Sequence, residues 1–290
     1  MGLALPGLAE IMRPWLPVLV LGLLFISVLR IPPRALLGTL PDLPKVLGTA
    51  LALQLVAPLA VIGIASLLDL QPSATTLALT LVFAAPSIMG SPNISMMLGA
   101  APDHAMRLMV AGTALLPLTI IPVFWLAPAL GDAANLRSTA LTLTAAISIT
   151  AALAIATRHV LLRHPSPTQQ KRIEGASAIA LAVFVVGLMP QVSTVALTDP
   201  MTALYWALLA FAANFGAQIL VWTTTRHRLP RDRALPTALI AGNRNIALFL
   251  VSLPPETTAP IMVFIGCYQL PMYLTPLLLK RLYKSRSSSL

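Results

Sequence analysis

The chain has 290 residues, 57% of them hydrophobic and only 10% charged. A soluble domain carries about 25% charged residues, and a folded chain of this length has too little interior to hide so much apolar surface. The composition excludes a soluble enzyme, a nucleic-acid binder and a disordered chain, despite a formal net charge of +10. The one cysteine, Cys267, excludes a disulfide framework and a multi-cysteine metal site.

A bilayer core of roughly 30 Å needs about 20 apolar residues per helix. Apolar stretches bounded by charges or turn residues predict nine spans. They run over 14–29, 46–68, 74–101, 105–127, 138–157, 176–193, 201–223, 234–252 and 259–279. The stretches are apolar on all sides, whereas β-barrel strands alternate. The first lacks a small-x-small cleavage site before Arg30, so it is a span and not a signal peptide. The third is interrupted by Pro86, Gly90 and Pro92, and the eighth by Gly242.

Charge placement gives an orientation. Sixteen of the nineteen basic residues fall on one side of a nine-span chain, fifteen in its connections and Arg107 near the start of the fourth span. Only Arg13 and Arg137 fall on the other, and Arg244 lies inside a span. The positive-inside rule predicts a multi-pass protein of the cell (inner) membrane, N-terminus outside and C-terminus cytoplasmic. The basic loops are then topology signals, with any anionic-lipid contact secondary, and no nucleic-acid partner is implied.

The two interrupted spans match each other. Gly90-Ser91-Pro92-Asn93-Ile94 aligns with Gly242-Asn243-Arg244-Asn245-Ile246, and Leu116-Pro117 with Leu270-Pro271. Matched breaks at nearly one offset predict an inverted repeat, 1–130 with four spans and 131–290 with five, the first unit lacking its leading helix. A break frees backbone groups that lipid cannot satisfy, so it survives only inside protein or along a watery cavity. Two breaks crossing near the midplane make an ion and substrate site. Asn93 and Asn245 are the first candidates there, because asparagine is costly in lipid.

Arg244 is the sharpest single signal. No Asp or Glu falls inside a span core, and Arg244 lies about ten residues, or ~15 Å, from either end of its span. Its charge needs helix C-terminal carbonyls, neutral Asn or Ser oxygens, or a bound anion. Gln54 and Pro58 lie in the second span, and Asn214 and Gln218 in the seventh. Thr113 is expected to bond back to its own helix. Met96 and Met97 read as packing, and His104, His159, His164 and His227 as loop residues, so no histidine proton relay is visible.

The run from Ala85 to Asn93, the run Ala241-Gly242-Asn243-Arg244-Asn245 and the nine-helix repeat resemble the bile acid:sodium symporter family, within the bile/arsenite/riboflavin transporters. The resemblance covers essentially the whole chain. It implies a panel domain, a core domain with two crossing broken helices, and carriage of organic anions, usually with sodium. Ser91, Asn93 and Thr113 resemble the ligands of one ion, and Gln54 resembles a glutamine that the preceding helix contributes. The second ion's Glu-x-Gly-x-Gln-Asn pattern reads Ile240-Ala241-Gly242-Asn243-Arg244-Asn245 here, leaving Asn243 but replacing the glutamate and the glutamine. A guanidinium there repels sodium, so the second sodium site is expected to be unused. The arsenite branch relies on a cysteine at the first break, which this chain lacks.

The expectation is an all-α polytopic carrier of a small organic anion, working by alternating access. Asn93, Asn214, Arg244 and Asn245 are its substrate residues, and Ser91, Asn93, Thr113, Gln54 and Asn243 its ion ligands. Sodium at one site is the most it needs, with no other cofactor and no catalytic residue. The alternative is a non-transporting membrane sensor on a transporter fold; the short tail 280–290 counts against it. An intramembrane enzyme ranks third, since no His/Asp/Glu or Cys constellation lies at mid-span.

Overall fold

A computed structural model describes residues 12–30, 42–127, 133–162 and 165–284. His164, expected in a loop, and Arg34, Arg163 and Arg286, three of the sixteen basic residues counted on one side, lie outside the described residues. Helix α1 is Leu16–Arg30, and α2 is Leu43–Leu67 with a π turn at Ala52–Val56. The first interrupted span becomes α3, Ala74–Ala84, and α4, Ser91–Met97. Then come α5, Pro102–Leu126, α6, Ala133–Leu161, α7, Pro167–Thr198, and α8, Pro200–Thr225. The second interrupted span becomes α9, Arg231–Gly242, and a 3-10 segment, Ile246–Val251. Helix α10 is Pro255–Leu278, and α11 is Lys280–Lys284.

Six of these, α2, α5, α6, α7, α8 and α10, are long and apolar enough to cross a membrane. Helices α1 and α3 are shorter apolar helices. Leu118, Trp125, Leu153, Leu220 and Leu277 stand exposed on the long helices, an outer surface suited to lipid and not to water. The chain is an α-helical, multi-pass membrane protein.

Two helices outrun their expected ends, because hydropathy marks only the apolar part of a helix. Helix α7 begins at Pro167, well before 176. Ser166 Oγ accepts from the Gln169 N–H, Gln169 Oε1 accepts from the Ser166 N–H, and Pro167 pre-sets the first turn. These polar turns carry Gln170 and Glu174 over the protein, where a loop was expected. Helix α6 likewise extends beyond 138–157. His104 and His159 therefore lie on α5 and α6 and not in loops. Met96 and Met97, expected as packing, are exposed.

Helix α1 packs against α6 and α7. The remaining helices interlock: α2 with α3 and α5, α4 and α9 with α5, and α8 with α9 and α10. Helix α7 also touches α8 and α10, and α1 touches the 3-10 segment, which joins the two groups. One order of elements occurs twice: a long helix, a half-helix, an interruption, a short turn, then a long helix with two internal prolines. These are Pro117 and Pro122 in α5, and Pro271 and Pro276 in α10.

Candidate functional site

The two interruptions meet. Ser87 and Arg244 form an isolated antiparallel bridge. The Ile88 N–H donates to the Asn243 carbonyl at 3.0 Å, and the Asn245 N–H to the Pro86 carbonyl at 2.8 Å. Each break thus supplies partners for backbone groups that the other loses on leaving its helix, which answers the cost of bare peptide groups in an apolar medium. Close approach makes this possible. A Cβ on Gly242 would lie 2.2 Å from the Asn214 carbonyl oxygen and 2.6 Å from Gln218 Cγ, so only glycine lets α9 sit on α8.

Arg244 is 1% exposed and lies across this junction. Its Nε donates to the Ala241 carbonyl at 3.1 Å, Nη1 to Ala85 at 3.0 Å and Nη2 to Leu53 at 2.7 Å. Ala85 caps the C-terminus of α3, and Ala241 is in the last turn of α9. The guanidinium therefore sits at two helix C-termini, where the backbone dipole favours a cation. The third acceptor has a local cause. In the π turn of α2, the Ala57 N–H bonds to the Ala52 carbonyl, five residues back. In that register the Leu53 carbonyl would take the N–H of residue 58, which is proline and has none. The proline frees the oxygen that Arg244 occupies. Of the three compensators open to Arg244 in the sequence, helix carbonyls are the ones it contacts.

A polar network backs the second break. Asn214 Nδ2 donates to the Gly242 carbonyl at 2.8 Å and to Asn243 Oδ1 at 3.1 Å. Gln218 Nε2 reaches Asn214 Oδ1 at 2.6 Å and Thr275 Oγ1 at 3.0 Å. Tyr283 donates to Gln218 Oε1 at 2.9 Å, and the Tyr268 hydroxyl donates to the Gly242 carbonyl. Asn243 Nδ2 is buried with no partner among the described residues. Tyr268, Thr275 and Tyr283 escaped the sequence reading, because lone hydroxyls in apolar helices are common and bond locally.

The five candidate ion ligands are divided among separate contacts. Gln54 is 2% exposed and its Nε2 donates to the Gly112 carbonyl at 3.0 Å, across to α5. Thr113 donates to Met109 on its own helix at 2.9 Å. The Ser91 hydroxyl pairs with Ser87 at 2.7 Å inside the first break. Asn243 belongs to the α8 network, and Asn93 is exposed. Among the described residues, no three His, Cys, Asp or Glu side chains are grouped as for a metal ion.

Asn93 and Asn245 instead face a cavity of about 510 Å³ bounded by α1, α7, α10 and the two breaks. Leu23, Leu181, Phe184 and Met272 give it an apolar wall, with Gln269 and Ser177 among its polar groups. A second cavity of about 250 Å³ shares Ser27, Arg30, Met89, Asn93 and Glu174 with the first and adds Arg158 and Gln170. The joint space is large enough for a small organic molecule; the larger cavity has mainly apolar walls and the smaller is lined about equally by polar and apolar groups. Arg244 and Asn214, expected at the substrate, line neither cavity. Arg30, Arg158 and Glu174 line them, although the sequence offered these three only as loop or span-end charges. No protein-family model matches the chain, and no curated protein matches it.

Proposed function

We propose that the chain is a secondary carrier for a small organic anion, working by alternating access at the meeting point of two broken helices. One observation carries this reading: both breaks pair through their backbones and present Asn93 and Asn245 to one cavity. Broken helices that line a polar cavity at mid-depth are a transporter's binding device. The doubled element order supports an inverted repeat of four and five spans, nine in all. On this reading, α3 and α9 enter from opposite sides and their C-termini meet. Helices α1, α6 and α7 form the panel and the others the core, as the resemblance to the bile acid:sodium symporter family implies. The N-terminus is outside and the C-terminus in the cytoplasm of the cell (inner) membrane.

Within this reading Arg244 is a built-in cation. It lies at the second break, where the resemblance puts a sodium ion, and its fixed charge serves in that ion's place. Coupling to sodium is then limited to one site, near Ser91 and Asn93. Alternating access follows from rocking the core against the panel, with the breaks locked by Arg244 and moving as one body.

Uptake of a panel of labelled organic anions into proteoliposomes, with and without a sodium gradient, tests the proposal. Saturable uptake with a Hill coefficient in sodium of one or less is expected. A coefficient near two would overturn the role of Arg244. Binding without flux under any gradient would identify a sensor instead of a carrier.

A further inference from the structure

We propose that the anionic group of the carried solute is held between Arg30 and Arg158, and that Glu174 competes with it for Arg30. This rests on the carrier reading above and names the subsite within it. Arg244 is not placed for that group: it lines neither of the two cavities, and each of its three nitrogens already donates to a buried carbonyl. Arg30 and Arg158 both line the smaller cavity, and Arg30 also lines the larger one. Arg158 Nη1 donates to the Leu29 carbonyl at the C-terminus of α1. That bond uses one of the guanidinium's five N–H donors and holds it next in line to Arg30. Glu174 Oε1 lies 3.8 Å from Arg30 Nη2, an ion pair too long for a hydrogen bond. With side chains 28% and 60% exposed, the pair contributes little and exchanges easily.

Two arginines against one carboxylate leave the subsite cationic. Ser27, one turn before Arg30, lies in both cavities and adds a hydroxyl. An amphipathic carboxylate or sulfonate suits this shape. Its charged end pairs with the guanidinium forks, its apolar body lies along Leu23, Leu181 and Phe184, and a polar substituent reaches Asn93. Among the described residues, Arg30–Glu174 is the ion pair that ties α1 to α7. Exchange of its carboxylate for that of the solute therefore loosens two helices of the cavity wall.

Equilibrium binding of labelled naphthalene-1-sulfonate to the purified full chain, against its neutral sulfonamide, tests this. The wild type should prefer the sulfonate. Arg30→Gln and Arg158→Gln should each weaken sulfonate binding about tenfold or more and leave the sulfonamide unchanged. Glu174→Gln should tighten sulfonate binding several-fold, a gain that a misfolded variant cannot mimic. No preference in the wild type, or no gain in Glu174→Gln, overturns the proposal. Uptake measured in parallel separates the two readings. Flux with unchanged KM in the double arginine variant removes the subsite and leaves the carrier; Glu174-sensitive binding without flux removes the carrier and leaves the subsite.

Discussion

Replacing Arg244 by methionine keeps most of the side-chain volume and removes the charge and every donor. Three buried carbonyls, Ala241, Ala85 and Leu53, then lose partners at 3.1, 3.0 and 2.7 Å. An unsatisfied buried polar group costs about 1–3 kcal/mol, so three cost about 6. Removing a buried arginine returns about 2.5–3.5 kcal/mol on insertion scales. The net loss is about 3 kcal/mol, or roughly 6–12 °C in Tm at the slope of a domain of 150–250 residues. Arg244→Lys keeps the charge, so nothing is returned, yet one ammonium cannot span three acceptors placed for a planar fork. Losing two of the three bonds costs about 4 kcal/mol, so lysine should do no better than methionine. Cys267 is the single cysteine and is 3% exposed, so a thiol-reactive dye reports unfolding in detergent directly. Pro58→Ala supplies an N–H that competes for the Leu53 oxygen, and its cost should shrink in the Arg244→Met background. A lysine variant as stable as the wild type would refute the reasoning, because charge alone would then suffice.

Gly242→Ala should lower the same unfolding midpoint markedly, by about 1–3 kcal/mol or more, since its Cβ would meet the Asn214 carbonyl at 2.2 Å; an unchanged midpoint would mean that α8 and α9 are not in close contact. Tyr283→Phe removes a buried donor to Gln218 at 2.9 Å and should cost about 1–2 kcal/mol by the same dye assay. Asn93→Ala and Asn245→Ala should raise KM for anion uptake, and Asn93→Ala, being at an exposed position, should leave the midpoint within about 0.5 kcal/mol. Hydrogen bonds from Thr202, side chain first and backbone second, hold the Asp199 carboxyl below its usual range at the start of α8. A lowered folded-state value favours the fold above the unfolded pKa, and this is lost as pH falls through the folded value; Asp199→Asn should erase that acid-side dependence.

Much of the candidate site was legible because lipid makes polar groups conspicuous. Arg244, Asn214, Gln218, Gln54, Asn93 and Asn245 stand out in apolar stretches, and each proves buried in a network or turned to a cavity. Their division of labour was not legible. Arg244 and Asn214 brace the breaks, while Arg30 and Glu174, which read as mere span-end charges, line the cavity. A residue's neighbour across the bundle, 159 positions away for Arg244 and Ala85, leaves no trace in local pattern.

The amino-acid sequence by itself determined a membrane chain of apolar helices with two interruptions, because composition, span length and break residues act locally. Gly242 ends α9, and Gly90 and Pro92 open α4 after the first interruption. Only the tertiary structure decided what compensates the buried arginine. Carbonyls from α2, α3 and α9 reach it only once the two breaks pair, and the Leu53 oxygen is open only because a π turn carries its partner position onto Pro58. The low charge content that marked the chain as a membrane protein left no acid beside Arg244, and the fold answers it with backbone alone.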